Sequence, residues 1–397
     1  MPHLPLMSHS SHLSDFFNVE NNDAACQARA GRISTTHGDI LTPVFMPVGT
    51  QATVKGVHPM ILQELKTQII LANTYHLYLR PGSELIALAS GLHGFMGWNH
   101  PILTDSGGFQ IFSLRDTLKL DEDGVSFKSI LDGSMHRWTP ETNMSIQHQL
   151  GADIIMQLDE CAAYPATKQQ VCDAVVRSAN WARRCLHFHL NGDMNARVNP
   201  SQALFAIVQG GVFQDLRMQS INSLLDIESD AQRFNGFGIG GYSVGESHEQ
   251  MFQSLGDVTL ALPLDRPRYL MGVGNPTTLL RAIALGIDMF DCVLPTRTAR
   301  MGTAFSSEGR LNLRNARFKE DFSALDSACG CSTCKQHSRA YLRHLIISKE
   351  MLGATLLSIH NLHYLINLMK EARDAIIAGK YTQFLDSWLS SAAANDY

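Results

Sequence analysis

The sequence predicts an α/β protein folded as a (β/α)8 barrel, a TIM barrel, with a zinc-binding subdomain inserted near the C-terminus. Seven short apolar runs recur along the chain, each long enough for a buried strand, and segments with helical periodicity separate them. Strands that alternate with helices favour a parallel sheet. Their number favours a closed barrel over the structural alternative, a doubly wound open sheet.

The first predicted elements are strands in residues 28–49, ARAGRISTTHGDILTPVFMPVG, where the chain turns at His37-Gly38-Asp39. Residues 1–20 precede them and are rich in Ser and His, without the basic region and apolar core of a signal peptide. We therefore predict a disordered tail over residues 1–20 and the barrel domain over residues 21–397.

Most of the seven apolar runs end on a polar residue or on glycine. Their ends are, in chain order, Asn73, Asp105, Asp159, Gln209, Gly240, Gly274 and Asp291. In a (β/α)8 barrel the carboxyl ends of the strands carry the active site, so these residues are expected at one rim. Between the runs, residues 168–190 and 275–286 have helical patterns, and the second begins with Asn275 as N-cap and Pro276 at the first helical position.

Composition places the chain among soluble proteins of a reducing compartment. Of its 397 residues 45% are hydrophobic, and no run of about 18 apolar residues predicts a membrane span. Eight cysteines are too few for a disulfide scaffold, so we expect a cytoplasmic protein.

The net charge of −5 does not suggest a nucleic-acid partner, but the distribution of charge does. Residues 294–319 contain one acidic residue, Glu308, against six basic ones: Arg297, Arg300, Arg310, Arg314, Arg317 and Lys319. Such a stretch either forms a solvated face or meets phosphates. Residues 300–316 within it are predicted to form a hairpin that turns at Glu308-Gly309.

A metal site is predicted from CGCSTC at residues 329–334, where Cys329, Cys331 and Cys334 follow a C-x-C-x-x-C spacing. Structural zinc takes four nitrogen or sulfur ligands, so a histidine must complete the set. His337, His344, His360 and His363 are the candidates. We choose His360, because SIHNLHYL lies a full helix later and can fold back onto the cysteines. Residues 315–365 are then a small zinc-binding subdomain.

Three aspartates at strand ends, Asp105, Asp159 and Asp291, are the candidate chemical groups. Each alone is as easily a helix cap or a structural acid. Two carboxylates at one rim are what cleavage of a glycosidic bond needs, one as nucleophile and one to manage the proton of the leaving group. Asp159 with Gln209 suits a guanine-like edge, which offers N–H donors and a carbonyl. Phe109 could stack on a base, and the glycines of GFGIGG at residues 236–241 could bring bare backbone close to a ligand.

These residues lie in segments that resemble the tRNA-guanine transglycosylases of bacterial type. The resemblance spans roughly residues 25–385 and rests on FMPVGTQATVKG, ILANTYHLYLRPG, ILTDSGGFQIFSL, LDECAAYP, IVQGGV, GIGGYSVGE, RYLMGVG, GIDMFDCVLPTRTAR, CGCSTC and SIHNLHY. Family members are zinc-containing (β/α)8 barrels, often homodimers. They exchange the wobble guanine of tRNAs with GUN anticodons for a 7-deazaguanine, through a covalent aspartyl–tRNA intermediate.

The resemblance also implies roles for single residues. Asp291 would be the nucleophile and Asp105 the general acid and base. The base pocket would consist of Asp105, Phe109, Asp159, Cys161, Gln209, Gly240, Gly241, Val244 and Met271. The basic residues of 294–319 would hold the anticodon loop, and zinc would be structural.

Two departures from the family pattern bear on the choice of base and on assembly. Tyr242 stands where bacterial relatives usually have leucine, and His337 where they often have tryptophan near the subunit interface. Eukaryotic relatives, which take queuine, have glycine at the position of Val244. The larger valine therefore predicts 7-aminomethyl-7-deazaguanine as the incoming base, with queuine as the alternative. A retaining glycosidase that uses Asp105 and Asp291, or a non-catalytic tRNA-binding subunit, would each account for part of the same pattern.

Overall fold

A computed structural model of the chain describes residues 16–113, 118–229, 232–242 and 245–396. The strands in these residues are β1 (Phe17–Asn22), β2 (Arg29–Thr35), β3 (Gly38–Thr42), β4 (Val44–Pro47), β5 (Ile70–Asn73), β6 (Ile102–Asp105), β7 (Lys119–Asp121), β8 (Gly124–Lys128), β9 (Met135–Trp138), β10 (Ile154–Met156), β11 (Ala203–Val208), β12 (Gly236–Ile239), β13 (Arg268–Leu270), β14 (Met289–Cys292), β15 (Thr303–Ala304) and β16 (Leu311–Asn312).

The α-helices are α1 (Pro59–Glu64), α2 (Thr74–Leu79), α3 (Ser83–Leu88), α4 (Gly91–Met96), α5 (Gly108–Ser113), α6 (Pro140–Leu150), α7 (Lys168–Asn191), α8 (Gln214–Leu225), α9 (His248–Ala261), α10 (Pro276–Ala284), α11 (Leu294–Arg300), α12 (Ser332–Gln336), α13 (Arg339–Ile347), α14 (Met351–Ile377) and α15 (Tyr381–Leu389). Short 3-10 turns occupy Met194–Ala196, Ala316–Phe318 and Ala392–Asp396. None of these helices is long and apolar enough to cross a membrane.

The predicted barrel is confirmed. Eight parallel strands pair in the order β4-β14-β13-β12-β11-β10-β6-β5, which follows the chain around the ring. The parallel bridge between Val48 and Leu71 joins the two ends of this sheet, with the Gly49 N–H donating to the Leu71 carbonyl at 2.6 Å. Seven strands correspond to the seven apolar runs. The eighth is β4, which lies within the opening segment and was not distinguished there from the hairpin that precedes it.

The barrel is filled from inside by close packing of large side chains against glycine. Phe205 of β11 lies against Gly236 of β12, where a Cβ atom would come within 2.5 Å of the phenyl ring. Around the barrel, the cap predicted for α10 is present, because Asn275 Oδ1 accepts a hydrogen bond from the Thr278 N–H at 3.0 Å. Such a cap contributes about 1 kcal/mol to a helix.

An antiparallel sheet of β1, β2 and β3 closes the amino end of the barrel. Phe17, Ile33 and Ile40 of this sheet share a buried cluster with the barrel interior. Its predicted turn is confirmed, since β2 and β3 pair from Thr35 and Gly38 outward. The boundary predicted for the tail at residue 20 is wrong, because residues 17–20 already form β1 and bury Phe17. Residues 1–15 of the predicted tail lie outside the described residues.

The C-terminal subdomain packs around its own small core on the outside of the barrel. Its buried residues include Ala304 and Leu311 of the β15–β16 hairpin, Leu342 of α13 and Leu357 of α14. The hairpin predicted over residues 300–316 is therefore part of this subdomain, whose packing begins before residue 315. Helix α14 runs on to Ile377 and joins the subdomain to the barrel wall.

Candidate functional site

A cavity of about 540 Å³ opens at the carboxyl end of the barrel. The predicted site residues that line it are Asp105, Phe109, Asp159, Cys161, Gln209, Gly240, Gly241, Met271 and Asp291. They come from six different strands or the loops that follow them, so only the closed barrel brings them together. Val244 lies outside the described residues.

Asp105 ends β6 and is held by the end of the neighbouring strand. Its Oδ2 accepts from Asn73 Nδ2 at 2.6 Å, and its Oδ1 accepts from the Thr74 N–H at 3.1 Å. Burial raises the pKa of Asp105 to about 7; these hydrogen bonds oppose the rise, and the nearby Asp291 adds to it. A carboxyl with a pKa near neutrality can both donate and accept a proton, which suits a general acid and base.

Asp291 lies on β14, across the cavity rim from β6, the strand that carries Asp105. Its Oδ1 accepts from the Tyr269 hydroxyl at 2.6 Å and from the Gly272 N–H at 2.7 Å. Burial raises the pKa of Asp291, while both hydrogen bonds act in the opposite direction. Because both donors meet Oδ1, the carboxylate is fixed in orientation with Oδ2 left for a ligand.

Asp159 and Gln209 form a joined polar edge on the cavity wall. Asp159 Oδ2 accepts from Gln209 Nε2 at 2.6 Å, and its Oδ1 accepts from Ser106 Oγ at 3.1 Å. Burial raises the pKa of Asp159 to about 6, against the effect of these two donors. A buried carboxylate of this kind gains stability when a ligand supplies further N–H donors.

The glycines of residues 107–108 and of the loop after β12 bring backbone close to the cavity. A Cβ atom on Gly108 would lie 2.8 Å from the Asp159 carbonyl, and one on Gly241 would lie 2.6 Å from Gln209 Oε1. Gly241 also has a φ of 68°, in the left-handed region that favours glycine. Phe109, with 55% of its surface exposed, extends from α5 at the cavity mouth.

Sequence reasoning missed several residues that hold the site. The sequence predicts Asn73 only as a strand end, yet its side chain donates to Asp105. Tyr269 and Gly272 hold Asp291, and Tyr269 lies inside an apolar strand where nothing in the sequence distinguishes it from a core residue. His76, to which the sequence assigns no role, also lines the cavity.

The predicted basic residues lie on α11 and on the segment that follows it. All six side chains, Arg297, Arg300, Arg310, Arg314, Arg317 and Lys319, are exposed. Arg297 reaches the cavity itself, and α11 begins just after the strand that carries Asp291. Positive charge therefore lies at the cavity edge and along the segment that leads from there away from the barrel.

The predicted metal ligands Cys329, Cys331, Cys334 and His360 converge in the subdomain. Their ligand atoms all lie within 4.8 Å of one another, as one tetrahedral ion requires. His360 Nε2 donates to the Phe305 carbonyl at 2.5 Å, which leaves Nδ1 facing the sulfurs of Cys334 and Cys331 at 3.2 and 3.6 Å. At metal sites, a hydrogen bond of this type from the far ring nitrogen fixes the histidine tautomer. These residues form a candidate metal site whose sulfur-rich ligand set is consistent with zinc.

A second group of potential ligands, His37, His93 and Asp153, lies at the opposite end of the barrel. The two imidazole rings stack with centroids 3.6 Å apart and planes 11° apart. Nitrogen lone pairs lie in the ring plane, so stacked rings cannot both point at one ion. His37 instead bonds to the Asp153 carboxylate at 2.7 Å, which ties the β2–β3 turn to the start of β10.

Comparisons with known proteins point to one family over nearly the whole chain. A family model described as queuine tRNA-ribosyltransferase matches residues 23–394. A protein of that name from Herpetosiphon aurantiacus is 53% identical over 374 residues, which cover 94% of this chain and 92% of the relative. Another from Halothermothrix orenii is 52% identical over 377 residues, covering 95% and 98%. A third, from Fusobacterium nucleatum, is 49% identical over 373 residues, covering 94% and 97%.

Proposed function

Because the chain belongs to the queuine tRNA-ribosyltransferase family of glycosyltransferases that act on tRNA guanine, we propose that it exchanges the wobble guanine of tRNAs with GUN anticodons for 7-aminomethyl-7-deazaguanine. The observation that carries the proposal is one cavity lined by two chemically distinct sets of groups. Asp105 and Asp291 supply acid, base and nucleophile, while Asp159 and Gln209 supply a recognition edge.

The first displacement uses the orientation of Asp291. Its Oδ2 attacks C1′ of the wobble nucleotide, the bond from C1′ to the base nitrogen breaks, and the electron pair leaves with guanine. Asp105 gives its proton to the leaving guanine. The product of this step is a covalent ester between Asp291 and the ribose of the tRNA.

The second displacement reverses these roles. The incoming base gives its ring N–H proton to Asp105, its nitrogen attacks C1′, and the bond between C1′ and Asp291 Oδ2 breaks. Each displacement inverts C1′, so the exchange retains configuration overall. The pKa of Asp105, raised to about 7 by burial, suits a group that must give a proton in one step and take one in the next.

Base recognition follows from the groups on the cavity wall. Asp159 accepts N–H bonds from the guanine-like edge, and Gln209 together with the Gly241 N–H meets the carbonyl of the base. Gln209 and Asp159 bond to each other at 2.6 Å, so binding of a base exchanges this bond for bonds to the ligand. Phe109 and Met271, which line the same cavity, cover the faces of the ring, and Cys161 lies at its edge. The family resemblance adds Val244 to this set.

The tRNA, the metal and a second subunit complete the proposed assembly. The six exposed basic residues contact phosphates of the anticodon loop. Cys329, Cys331, Cys334 and His360 hold one Zn²⁺, which stabilises the subdomain and takes no part in the chemistry.

The subdomain exposes three large apolar side chains, Phe322, Ile347 and Met351, with 78%, 53% and 87% of their surfaces accessible. This exposure supports their burial in a homodimer. The proposed setting is the cytoplasm, where the tRNA is found.

Incubation with tRNA and labelled guanine tests the exchange. Label should enter RNA with wild-type protein, which neither a glycosidase nor a non-catalytic tRNA-binding subunit would produce. Competition between 7-aminomethyl-7-deazaguanine and queuine then tests the choice of base. The aminomethyl base should win, and Val244→Gly should shift the preference toward queuine. A win for queuine that Val244→Gly leaves unchanged would contradict the role of Val244.

A further inference from the structure

We propose that Arg217 is a positioning residue for base recognition, a role that rests on the proposed base exchange: it holds the Gly240 carbonyl so that the Gly241 N–H points into the cavity. Arg217 lies on α8 behind the cavity wall and is fully buried. It is not among the residues that line the cavity. Its effect passes through the backbone of the loop after β12.

The guanidinium of Arg217 bonds to backbone carbonyls of two neighbouring strands and their loops. Its Nη1 donates to the Gly240 carbonyl at 2.6 Å and to the Val208 carbonyl at 3.3 Å, and its Nε donates to the Gly211 carbonyl at 2.9 Å. A planar guanidinium presents its donors in a fixed fork. Arg217 therefore fixes the loop after β12 relative to the loop after β11, which carries Gln209.

The bond to Gly240 decides the direction of the next N–H group. In a trans peptide the C=O of one residue and the N–H of the following residue point in opposite directions. Since the Gly240 carbonyl points back to Arg217, the Gly241 N–H points away from it, toward the cavity that Gly241 lines. The Cys161 thiol lies on that side: burial raises its pKa to about 12, and the nearby Gly241 backbone acts in the opposite direction.

Tyr242 secures the arginine from its other side. The Arg217 guanidinium carbon lies 3.6 Å from the centroid of the Tyr242 ring, within the range of a cation–π contact. The Tyr242 hydroxyl is bonded to Ser254 Oγ of α9 at 2.5 Å. The loop is thus held by α8 through Arg217 and by α9 through Tyr242, and the amide between them is presented to the base.

Binding of two purines tests this role without requiring turnover. Guanine carries the 6-carbonyl that the Gly241 N–H and Gln209 meet and an N1–H donor for Asp159, whereas 2-aminopurine lacks both. Isothermal titration of the zinc-loaded protein with each base should show that wild type binds guanine at least about tenfold more tightly. Arg217→Met should reduce this preference at least about threefold, because the amide is no longer held toward the cavity while the contacts from Asp159 and Gln209 remain.

Arg373→Met is the matched control. Arg373 is a buried arginine that likewise donates to backbone carbonyls, those of Gly31 and Thr42, but at the far end of the barrel. This variant should keep the wild-type preference for guanine even if it melts earlier. Loss of the preference in both variants would mean a general effect of destabilisation and would overturn the specific role of Arg217.

A folded Arg217→Met protein that keeps the full preference would also overturn the proposal. If that variant does not fold, Arg217→Lys takes its place, because lysine keeps the charge without the planar fork. Its preference for guanine over 2-aminopurine should be at least about threefold smaller than that of wild type, and an unchanged preference would reject the role. Wild type that does not prefer guanine would instead contradict the proposed function, so the two failures are distinguishable.

Discussion

Tyr269 donates its hydroxyl to Asp291 Oδ1 at 2.6 Å from the neighbouring strand of the barrel. Tyr269 lies on β13 and Asp291 on β14, so the register of two adjacent parallel strands sets the orientation of the carboxylate. Burial raises the pKa of Tyr269 well above its ordinary value, and the adjacent Asp291 raises it further, so the hydroxyl stays a donor. In the proposed mechanism Asp291 is the nucleophile, so both its ionisation and its orientation matter.

Tyr269→Phe should weaken Asp291 as the proposed nucleophile without removing its carboxylate. The lost hydrogen bond lowers the pKa of Asp291 in the wild type, so the acidic limb of the pH profile of kcat should move to higher pH by about one unit or more. At neutral pH kcat should fall about tenfold, with little change in KM for tRNA. Tyr381→Phe, which removes a buried hydroxyl bonded to the Leu280 carbonyl, is the control and should leave the profile unchanged. Identical profiles for all three proteins would show that Tyr269 does not support Asp291.

The raised pKa of Asp105 predicts a pH dependence of stability with a definite sign. Its folded-state pKa of about 7 exceeds the ordinary value of 3.8, so the folded protein binds more protons than the unfolded chain between these values. The free energy of unfolding should therefore fall as pH rises from about 4 to about 7. Each unit of pKa shift corresponds to about 1.4 kcal/mol, and screening by water in the cavity reduces the total to about 1–3 kcal/mol.

Asp105→Asn removes this titration and provides the comparison. Between pH 5 and pH 8, wild type should lose about 1–2 kcal/mol more than Asp105→Asn in urea unfolding experiments. Asp159 titrates in both proteins, whereas the part of the Asp105 shift that comes from the nearby Asp291 disappears with the Asp105 carboxyl. Parallel curves over this range would mean that Asp105 titrates near its ordinary value. The same substitution should also abolish base exchange.

Zinc binding should distinguish two histidines of α14, His360 and His363. His360→Ala should lose zinc and at least about 3 kcal/mol of stability in the C-terminal subdomain, because structural zinc contributes to folding directly. His363→Ala is the control: His363 Nδ1 lies 3.4 Å from Cys329 Sγ but belongs to no four-ligand cluster in the described residues. Metal analysis that finds zinc retained in His360→Ala and lost in His363→Ala would reverse the assignment.

The basic segment predicts a change in the salt dependence of tRNA binding. Arg297→Ala and Arg314→Ala should each weaken binding and lower the slope of log K against log salt by about 1, since in the proposed complex each arginine contacts one phosphate. Lys380→Ala is the control, because Lys380 is exposed beside the amino end of the barrel, away from the cavity. Unchanged slopes in both arginine variants would place the tRNA elsewhere.

The barrel, the metal ligands and the main acids could be predicted from the sequence because each leaves a local pattern. An apolar run that ends on Asp105 or Asp291 indicates both a buried strand and the end of that strand that lies at the rim. The cysteine spacing indicates the metal site. The supporting residues leave no such pattern. Tyr269 lies within a strand and Arg217 within a helix, and their partners Asp291 and Gly240 are 22 and 23 residues away along the chain.

The sequence does not distinguish strand β4, because only Pro43 separates it from β3 and the two strands form one alternating segment.

Trapping of the covalent intermediate tests the proposed chemistry most directly. Wild type and Asp291→Ala are each incubated with end-labelled tRNA, denatured and separated on a denaturing gel, with tRNA binding measured in parallel at equilibrium. Wild type should give a denaturant-resistant protein–RNA band that free guanine chases away, and Asp291→Ala should give none while its tRNA affinity changes less than about threefold. A covalent band that persists in Asp291→Ala would contradict the assignment of Asp291 as the nucleophile.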